Sequence, residues 1–205
     1  MTSSVLERDL RQADIARLSQ RLLTREAFDA TTIADASRRL AAVAAVLRVA
    51  DEVPELLFIR RADKEGDPWS GHMAFPGGRF EPHDDSLETT AIRETREELS
   101  LDLTQGQLIG RLDDLAPQNP TLPPLIIRPF VALVAPDVTF VPNVEVAATY
   151  WVPLHALRGD TARAEHVLSV NGVRARFPGY RVAEHVVWGL TERIVRQLLT
   201  LIDPE

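Results

Sequence analysis

The sequence predicts an α/β protein, because segments of helical and of strand periodicity alternate along the chain. Apolar residues recur at three- and four-residue spacing from about Ser86 to Ser100 and from Val186 to Ile202, which is typical of helices that bury one face. Apolar runs at 55–61 and 126–134 have the length and composition of strands. At 205 residues, with no repeat or linker, we expect a single domain spanning 1–205.

The remaining elements are predicted in chain order. An amphipathic helix is expected at about 5–23, with Leu6, Leu10, Ile15, Leu18 and Leu22 on one face. The segment 40–50 suits a helix through its alanines, but Val43–Val49 also alternates as a buried strand would. The other predicted strands are 107–112, 145–154, 166–170, 173–177 and 180–182, with an Asn171-Gly172 turn.

Proline marks two further features of the second half. Pro129 predicts that the strand at 126–134 lies at a sheet edge or contains a bulge. The stretch 113–124 is too rich in proline for regular structure and predicts a long loop. Such a loop forms either a wall of a substrate site or a plain surface connection.

Composition excludes several classes of function. The chain has no cysteine, which rules out disulfides and cysteine-ligated zinc or iron–sulfur sites and is compatible with a cytoplasmic location. The start, MTSSVLERDL, lacks a secretory signal, and no run approaches the roughly 18 apolar residues of a membrane span. The net charge of −7 argues against nucleic-acid binding. A small polyanionic substrate stays possible, because metal ions can neutralise it locally.

The most informative stretch runs from Phe75 to Leu101. Pro76-Gly77-Gly78 is a turn signal, and Asp85 with Glu88 three residues later predicts a capping-box start for the helix that follows. Three carboxylates then share one helix face through i, i+3 and i, i+4 spacing: Glu94, Glu97 and Glu98. Such an oxygen-rich patch suits Mg²⁺ or Mn²⁺, although an isolated E-x-x-E-E is also compatible with a solvated acidic face.

This stretch resembles the Nudix box, G-x5-E-x7-R-E-U-x-E-E-x-G-U, over about 77–101. Arg93-Glu94, Glu97-Glu98 and Leu101 match it. Three positions depart from the box: Asp85 at its first glutamate, Thr95 at its first aliphatic residue and Ser100 at its second glycine. The glycine pair lies one residue further upstream, so that Arg79 falls at the first glycine of the box.

The F-P-G-G sequence and the acidic loop residues Glu81 and Asp84 resemble the coenzyme A pyrophosphatase branch of that family. Two distant phrases add to the resemblance: E-V-x-x-x-x-W-V-P-L at 145–154, and V-W-G-L-T at 187–191, which is similar to the I-W-G-x-T phrase of that branch. The branch also has a specificity motif before F-P-G-G. Here only Arg61 stands for its first arginine, and D-x-W-S-G-H-M-A replaces the rest.

The resemblance implies an α/β/α sandwich around a mixed sheet, with extra N- and C-terminal helices, and hydrolysis of a nucleoside diphosphate linked to another group. It implies that Glu94, Glu97, Glu98 and the backbone carbonyl of Gly78 hold Mg²⁺ or Mn²⁺, with Glu94 or Glu98 also in catalysis. Arg93 is expected to orient a carboxylate by ion pairing. The partner is a small nucleotide-derived molecule, and a homodimer is possible because family members are often homodimers.

Other candidate site residues lie outside the box. Glu145 is a candidate general base, because a carboxylate bound to metal is a poor base. Arg60, Arg61 and Arg79 could bind an additional phosphate or be solvated strand-end arginines, and His72 is a further substrate-binding candidate. Three hypotheses follow: a pyrophosphatase of coenzyme A or its thioesters, a hydrolase of ADP-ribose, NADH or a similar compound, and a Nudix-like binding module without catalysis.

Overall fold

The computed structural model describes residues 2–32, 38–67, 69–117, 124–170 and 173–203. None of the helices in these ranges is both long and apolar enough to cross a membrane. The α-helices of the described residues are α1 (Thr2–Asp9), α2 (Ala13–Thr24), α3 (Leu87–Leu99), α4 (Leu154–Arg158) and α5 (Gly189–Ile202).

The strands of the described residues form a large and a small sheet. The large one contains β1 (Arg39–Ala50), β2 (Val53–Arg61), β3 (Met73–Ala74), β4 (Gly77–Arg79), β5 (Gln107–Arg111), β6 (Leu125–Leu133) and β7 (Val146–Pro153). Its order is β3-β2-β1-β6-β5, with β4 also paired to β1 and β7 to β2. Only the β1–β6 pair is parallel, so the sheet is mixed. The small sheet has the order β10 (His185–Trp188), β9 (Val173–Val182), β8 (Arg163–Val170).

Helices cover both faces of the large sheet. On one face, Ala91 and Leu99 of α3 pack in a core cluster with Ala44 and Val46 of β1. On the other face, α2 and α5 share a cluster with the alternate β1 residues, including Leu47. A strand buried on both faces is apolar at nearly every position, which explains the alanine- and valine-rich sequence of β1. The predicted α/β sandwich with a mixed sheet is therefore confirmed.

The N-terminal helix differs from the prediction. A single helix at 5–23 was expected, but the chain turns after Asp9 and α2 begins at Ala13. Gln12 caps α2, because its side-chain oxygen accepts from the N–H groups of Asp14 and Ile15 at 2.8 and 3.1 Å. A glutamine is not a common N-cap, so the break carried no strong sequence signal.

The central strands settle two open points. Residues 40–50 belong to strand β1, and the helical alternative is wrong. The edge position predicted from Pro129 is also wrong, because β6 lies between β1 and β5; the bulge of this pair lies in β5, between Leu108 and Gly110. The carbonyl of Pro129 accepts from the N–H of Leu112, just beyond the end of β5. Proline has no N–H, and at Pro129 this missing donor would also face the β5 side, so no hydrogen bond to β1 is lost.

The C-terminal region contains longer strands than expected. The predicted strands 173–177 and 180–182 form one strand, β9, and the final helix begins at Gly189 and not at Val186. Val186, Val187 and Trp188 form β10, since β-branched and aromatic residues favour a strand paired with β9. The predicted Asn171-Gly172 turn and residues 118–123 of the proline-rich loop lie outside the described residues.

Candidate active site

The acidic helix α3 is held at both ends by local hydrogen bonds. Its N-cap is Ser86, whose hydroxyl accepts from the N–H of Thr89 at 3.1 Å, so the cap predicted from Asp85 and Glu88 is wrong. Serine is as favourable at an N-cap as aspartate, and Ser86 directly follows Asp85 in the sequence. At the other end Ser100 has φ 55°, the left-handed conformation for which glycine is the usual residue. The departure of Ser100 from the Nudix glycine is therefore accommodated without changing the helix end.

Two glycines bring the backbone against this helix. Gly77 and Gly78 lie in β4, paired with Val43 and Ala42 of β1. Gly77 has φ 152°, and a Cβ there would overlap the carbonyl oxygen of Ala42. A Cβ on Gly78 would overlap the carboxylate of Glu94. The absence of side chains at both positions is thus what allows the turn to contact the acidic face of α3.

Glu98 is the most unusual carboxylate of the face. Its side chain is 4% exposed, and Oε2 accepts from the N–H of Gly77 at 2.9 Å. Its closest cation is Arg61, whose Nη1 lies 4.0 Å from Oε1. Burial raises the pKa of Glu98 to about 7, because these two partners do not offset the loss of water. Glu98 is therefore a buried acid with spare capacity to bind a cation.

Glu94 and Glu97 lie further out on the same face. The Glu94 side chain is 16% exposed, and burial raises its pKa although Arg93 opposes the shift. The Glu97 side chain is 57% exposed. Nη1 of Arg93 donates to Glu94 at 3.0 Å and to Glu97 at 3.3 Å. Arg93 thus fixes the relative positions of these two carboxylates.

Arg93 is itself anchored by Asp84. Its Nε and Nη2 each donate to one carboxylate oxygen of Asp84 at 2.9 Å, and Nη2 also donates to the carbonyl of Arg79. Asp84 accepts in addition from the hydroxyl of Thr90 and the N–H of Glu81. These bonds, Arg93 foremost, hold the pKa of the buried Asp84 well below its usual range. The anchoring role of Asp84 was not predicted, because the loop that brings it to Arg93 has no periodicity.

The predicted substrate-binding arginines are placed differently. Arg61 lies beside Glu98 and donates to Asp67 at 3.0 Å. Arg60 is its neighbour on β2, so its side chain points to the opposite face of the sheet, and it donates to Asp63 at 3.0 Å. Arg79 is exposed at the end of β4. Of the three, the structure brings only Arg61 to the buried carboxylate.

Of the two remaining candidates, Glu145 lies near Glu98 and His72 lies beside Arg61. Glu145 is exposed and lies near enough to Glu98 to contribute to its raised pKa. The main chain there is fixed, since the N–H of Asn143 donates to the carbonyl of Glu98 at 2.7 Å and the N–H of Ala62 to that of Glu145 at 2.8 Å. His72 is half-buried, and its carbonyl accepts from the N–H of Arg61 at 3.0 Å.

The donor set fits a hard divalent cation. Within the described ranges no three His, Asp or Glu side chains converge as a ready-made metal cage. Mg²⁺, however, binds through one or two carboxylates plus water and substrate oxygens and needs no such cage. The buried carboxylate of Glu98 and that of Glu94 against Gly78 provide oxygen ligands of this kind.

A separate cavity of about 780 Å³ lies away from this face. It is bounded by residues of the α5 side and of the loop after β5, among them Arg25, Asp113, Arg193 and Gln197. None of the acidic-face residues lines it, so this cavity is separate from the candidate site at α3.

Comparison with known proteins agrees with this geometry. The model of the NUDIX domain matches residues 38–170. The "Uncharacterized Nudix hydrolase NudL" of Yersinia pestis (strain Pestoides F) is 34% identical over 148 residues, 71% of this chain and 71% of that protein, and so is NudL of Yersinia pseudotuberculosis serotype O:1b (strain IP 31758).

A solved structure extends the likeness to the fold. The MutT/nudix family protein from Enterococcus faecalis superposes with a TM-score of 0.55 at 17% identity, over 94% of this chain and 71% of that chain. With the acidic helix, the double-glycine turn and the family match together, this chain belongs to the Nudix family and is a Nudix hydrolase, an enzyme that acts on nucleoside diphosphate derivatives.

Proposed function

We propose that this enzyme cleaves the diphosphate of coenzyme A or its thioesters, with Mg²⁺ or Mn²⁺, to give 3′,5′-ADP and a 4′-phosphopantetheine. The observation that carries the metal-dependent hydrolysis is the buried carboxylate of Glu98 at the Gly77–Gly78 turn, with Glu94 beside it. Coenzyme A is favoured by the F-P-G-G turn, the acidic loop and the V-W-G-L-T phrase, which resemble the coenzyme A pyrophosphatase branch.

The chain's own residues have separate tasks in this proposal. Glu94, Glu97, Glu98 and the carbonyl of Gly78 would hold the divalent ions, and the chemistry that such ions would supply is neutralisation of the diphosphate charge and acidification of a water molecule. Arg93, fixed by Asp84, keeps Glu94 and Glu97 in position. These bonds leave Arg93 no role in touching the substrate.

Proton removal from the attacking water falls to a carboxylate that is not bound to metal. Glu145 is our candidate, because it is exposed, lies near Glu98 and makes no side-chain ion pair among the described residues. Arg61 and Arg79 are our candidates for binding phosphate oxygens, because Arg61 lies beside Glu98 and Arg79 directly follows the glycine turn. Arg60 is a weaker candidate, since Asp63 pairs with it on the other face.

A second substrate class is favoured by one observation. The loop at 62–72 departs from the coenzyme A specificity motif and is closed by its own bonds, Arg61 to Asp67 and the N–H of Lys64 to the hydroxyl of Ser70. A different loop in this place suits a different group on the diphosphate. The alternative is therefore hydrolysis of ADP-ribose, NADH or another nucleoside diphosphate derivative.

The test is product analysis with a substrate panel. Purified enzyme is incubated with coenzyme A, acetyl-coenzyme A, ADP-ribose or NADH, with Mg²⁺, Mn²⁺ or EDTA, and products are identified by chromatography and mass spectrometry. The Glu98→Gln variant serves as the blank for contaminating activity. We expect 3′,5′-ADP from coenzyme A, in a metal-dependent reaction. AMP from ADP-ribose or NADH alone would select the alternative, and no product from any substrate would support a binding module.

A further inference from the structure

Four rings form a cluster where the small sheet meets the loop before β3. The indole of Trp188 stacks on the imidazole of His166, with centroids 4.0 Å apart and planes at 9°. His72 meets the same indole edge-on at 5.0 Å, and Phe177 lies 5.5 Å from it. All four residues are half-buried, so the cluster is partly open to solvent.

The register of the small sheet explains the cluster. His166 lies opposite Phe177, and Trp188 lies opposite Gly179, two residues further along β9. Residues two apart on a strand share a face, so all three rings are on one side of the sheet. A Cβ on Gly179 would overlap the side chain of Val186 and the carbonyl oxygen of Val187, so the absence of a side chain there allows β10 to lie close against β9.

The cluster is connected to the acidic face through one residue. His72 joins the indole to the end of β2, since its carbonyl accepts from the N–H of Arg61 at 3.0 Å. Arg61 in turn lies 4.0 Å from Glu98. A molecule whose diphosphate is held at Glu94 and Glu98 can therefore extend along Arg61 to the rings.

The chemistry of the cluster favours a flat, uncharged group. Burial lowers the pKa of both His72 and His166, which favours their neutral imidazoles over the cations that would attract phosphate. Aromatic rings bind nucleobases by stacking, whereas phosphates need cations or N–H donors.

We propose that the cluster of His72, His166, Phe177 and Trp188 binds the adenine base of the substrate by stacking. This inference rests on the proposed function for the position of the diphosphate. It does not depend on which adenine-containing substrate is cleaved, because coenzyme A, ADP-ribose and NADH share the base.

The test compares a ligand with and without the base. Binding of AMP and of ribose 5-phosphate to the full chain is measured by calorimetry, in the presence of EDTA so that no metal site contributes. Wild-type protein should bind AMP more tightly than ribose 5-phosphate. Trp188→Leu should weaken AMP binding roughly tenfold or more and abolish that difference, while Trp188→Phe, which keeps a ring, should weaken it less.

Trp151 provides the matched control. It is also half-buried, but its ring packs against Arg48 and Phe140 on another part of the molecule. Trp151→Leu should leave AMP binding unchanged. The fold of Trp188→Leu is checked by circular dichroism. If that variant does not fold, it is replaced by His166→Ala, which removes the stacked partner from the edge strand β8. The same loss of AMP affinity is expected for His166→Ala.

Kinetics with the cleaved substrate give a second measurement. Trp188→Leu should raise KM roughly tenfold with kcat within about twofold, because stacking distant from the diphosphate is equal in the ground and transition states. Wild-type protein that does not prefer AMP over ribose 5-phosphate, or Trp188 and His166 variants with unchanged AMP affinity, would overturn the inference. If AMP binding depends on Trp188 but no substrate of the panel is cleaved, the proposed function fails and the ring site stands.

Discussion

The two ends of α3 differ in how many hydrogen-bond donors surround a buried carboxylate. Near the N-terminal end, Asp84 accepts from Arg93, Thr90 and the main chain, and its pKa is held far below the usual range. At the C-terminal end, Glu98 is equally buried but has one backbone donor and a distant arginine, and its pKa rises to about 7. The first arrangement stabilises the fold, whereas the second costs stability and leaves a carboxylate available to a ligand.

The acid with a functional role is identified by its shortage of hydrogen-bond donors. Burial alone does not separate the two, because both side chains are almost completely inaccessible. What separates them is the number of donors within hydrogen-bonding distance. An acid that the protein satisfies internally is an anchor, and one that it leaves short of donors at a glycine turn is the candidate ligand for a cation.

The largest effect on activity is expected at Glu98, the buried carboxylate with few hydrogen-bond donors. Glu98→Gln should lower kcat by at least about a thousandfold, because an amide cannot replace a carboxylate in holding the ions. Without metal the variant should be no less stable than wild type in urea unfolding, since burying a neutral amide costs less than burying a charge.

Glu88→Gln is the matched control, because Glu88 is an exposed acid in the first turn of the same helix. It should retain wild-type activity. Near-normal turnover by Glu98→Gln would refute the assignment of this residue.

At Asp84, whose carboxylate is fully hydrogen-bonded, a substitution should lower the stability of the fold. Asp84→Asn should lower the free energy of unfolding at pH 7 by about 3 kcal/mol, because the half-buried charge of Arg93 loses its main partner. Asp85→Asn, a change of the exposed neighbouring acid, should have almost no effect.

The pH dependence of that difference has a defined sign. The folded pKa of Asp84 is depressed, so its ionised form contributes stability above the unfolded pKa, near the ordinary 3.8, and loses it as the pH falls toward the lower folded value. The gap between wild type and Asp84→Asn should be constant from pH 7 to about 5 and shrink below about 4. A gap of the same size at pH 3 and pH 7 would mean that Asp84 is not held as an anion.

An intermediate effect is expected at the glycine turn. Gly78→Ala places a Cβ on the carboxylate of Glu94, which must move away. We expect roughly 50-fold lower kcat/KM, the order of loss caused by a misplacement of about 1 Å at a reacting centre. Gly159→Ala is the control, because that glycine has φ −75° and its nearest neighbour would be 3.5 Å from the new Cβ. Unchanged kinetics in Gly78→Ala would show that Glu94 has no part in the site.

The smallest effect should come from the exposed member of the acidic face. Glu97 is more than half exposed and already shares Arg93 with Glu94. Glu97→Gln should therefore lower kcat by less than about tenfold, as for a ligand whose place water can take. A loss as large as that of Glu98→Gln, measured in the same assay, would show that burial does not rank these carboxylates.

The features of α3 that depend on local residue spacing were predicted from the sequence. The apolar stripe of α3, the glycine turn and the shared face of Glu94, Glu97 and Glu98 follow from periodicity and from the conformational range of glycine. The pairing of Asp84 with Arg93 and the opposite faces of Arg60 and Arg61 depend on loop geometry and strand register. The assignment of metal and substrate roles to these residues stays a prediction, as does the single domain.

In the C-terminal region, too, strand pairing determined a structure that local spacing did not predict. Val186–Trp188 was expected at the start of a helix, but tertiary pairing with β9 made it a strand. This changed what Trp188 contacts, because a strand places its ring over His166. Local propensity could not predict that contact.

Metal binding at Glu98 is tested by the affinity for Mn²⁺ itself, measured by electron paramagnetic resonance on wild-type, Glu98→Gln and Glu88→Gln proteins without substrate. We predict that Glu98→Gln weakens Mn²⁺ binding by at least about tenfold and that Glu88→Gln leaves it unchanged. Equal Mn²⁺ affinity in all three proteins would contradict the claim that the buried carboxylate at the glycine turn holds the divalent ion.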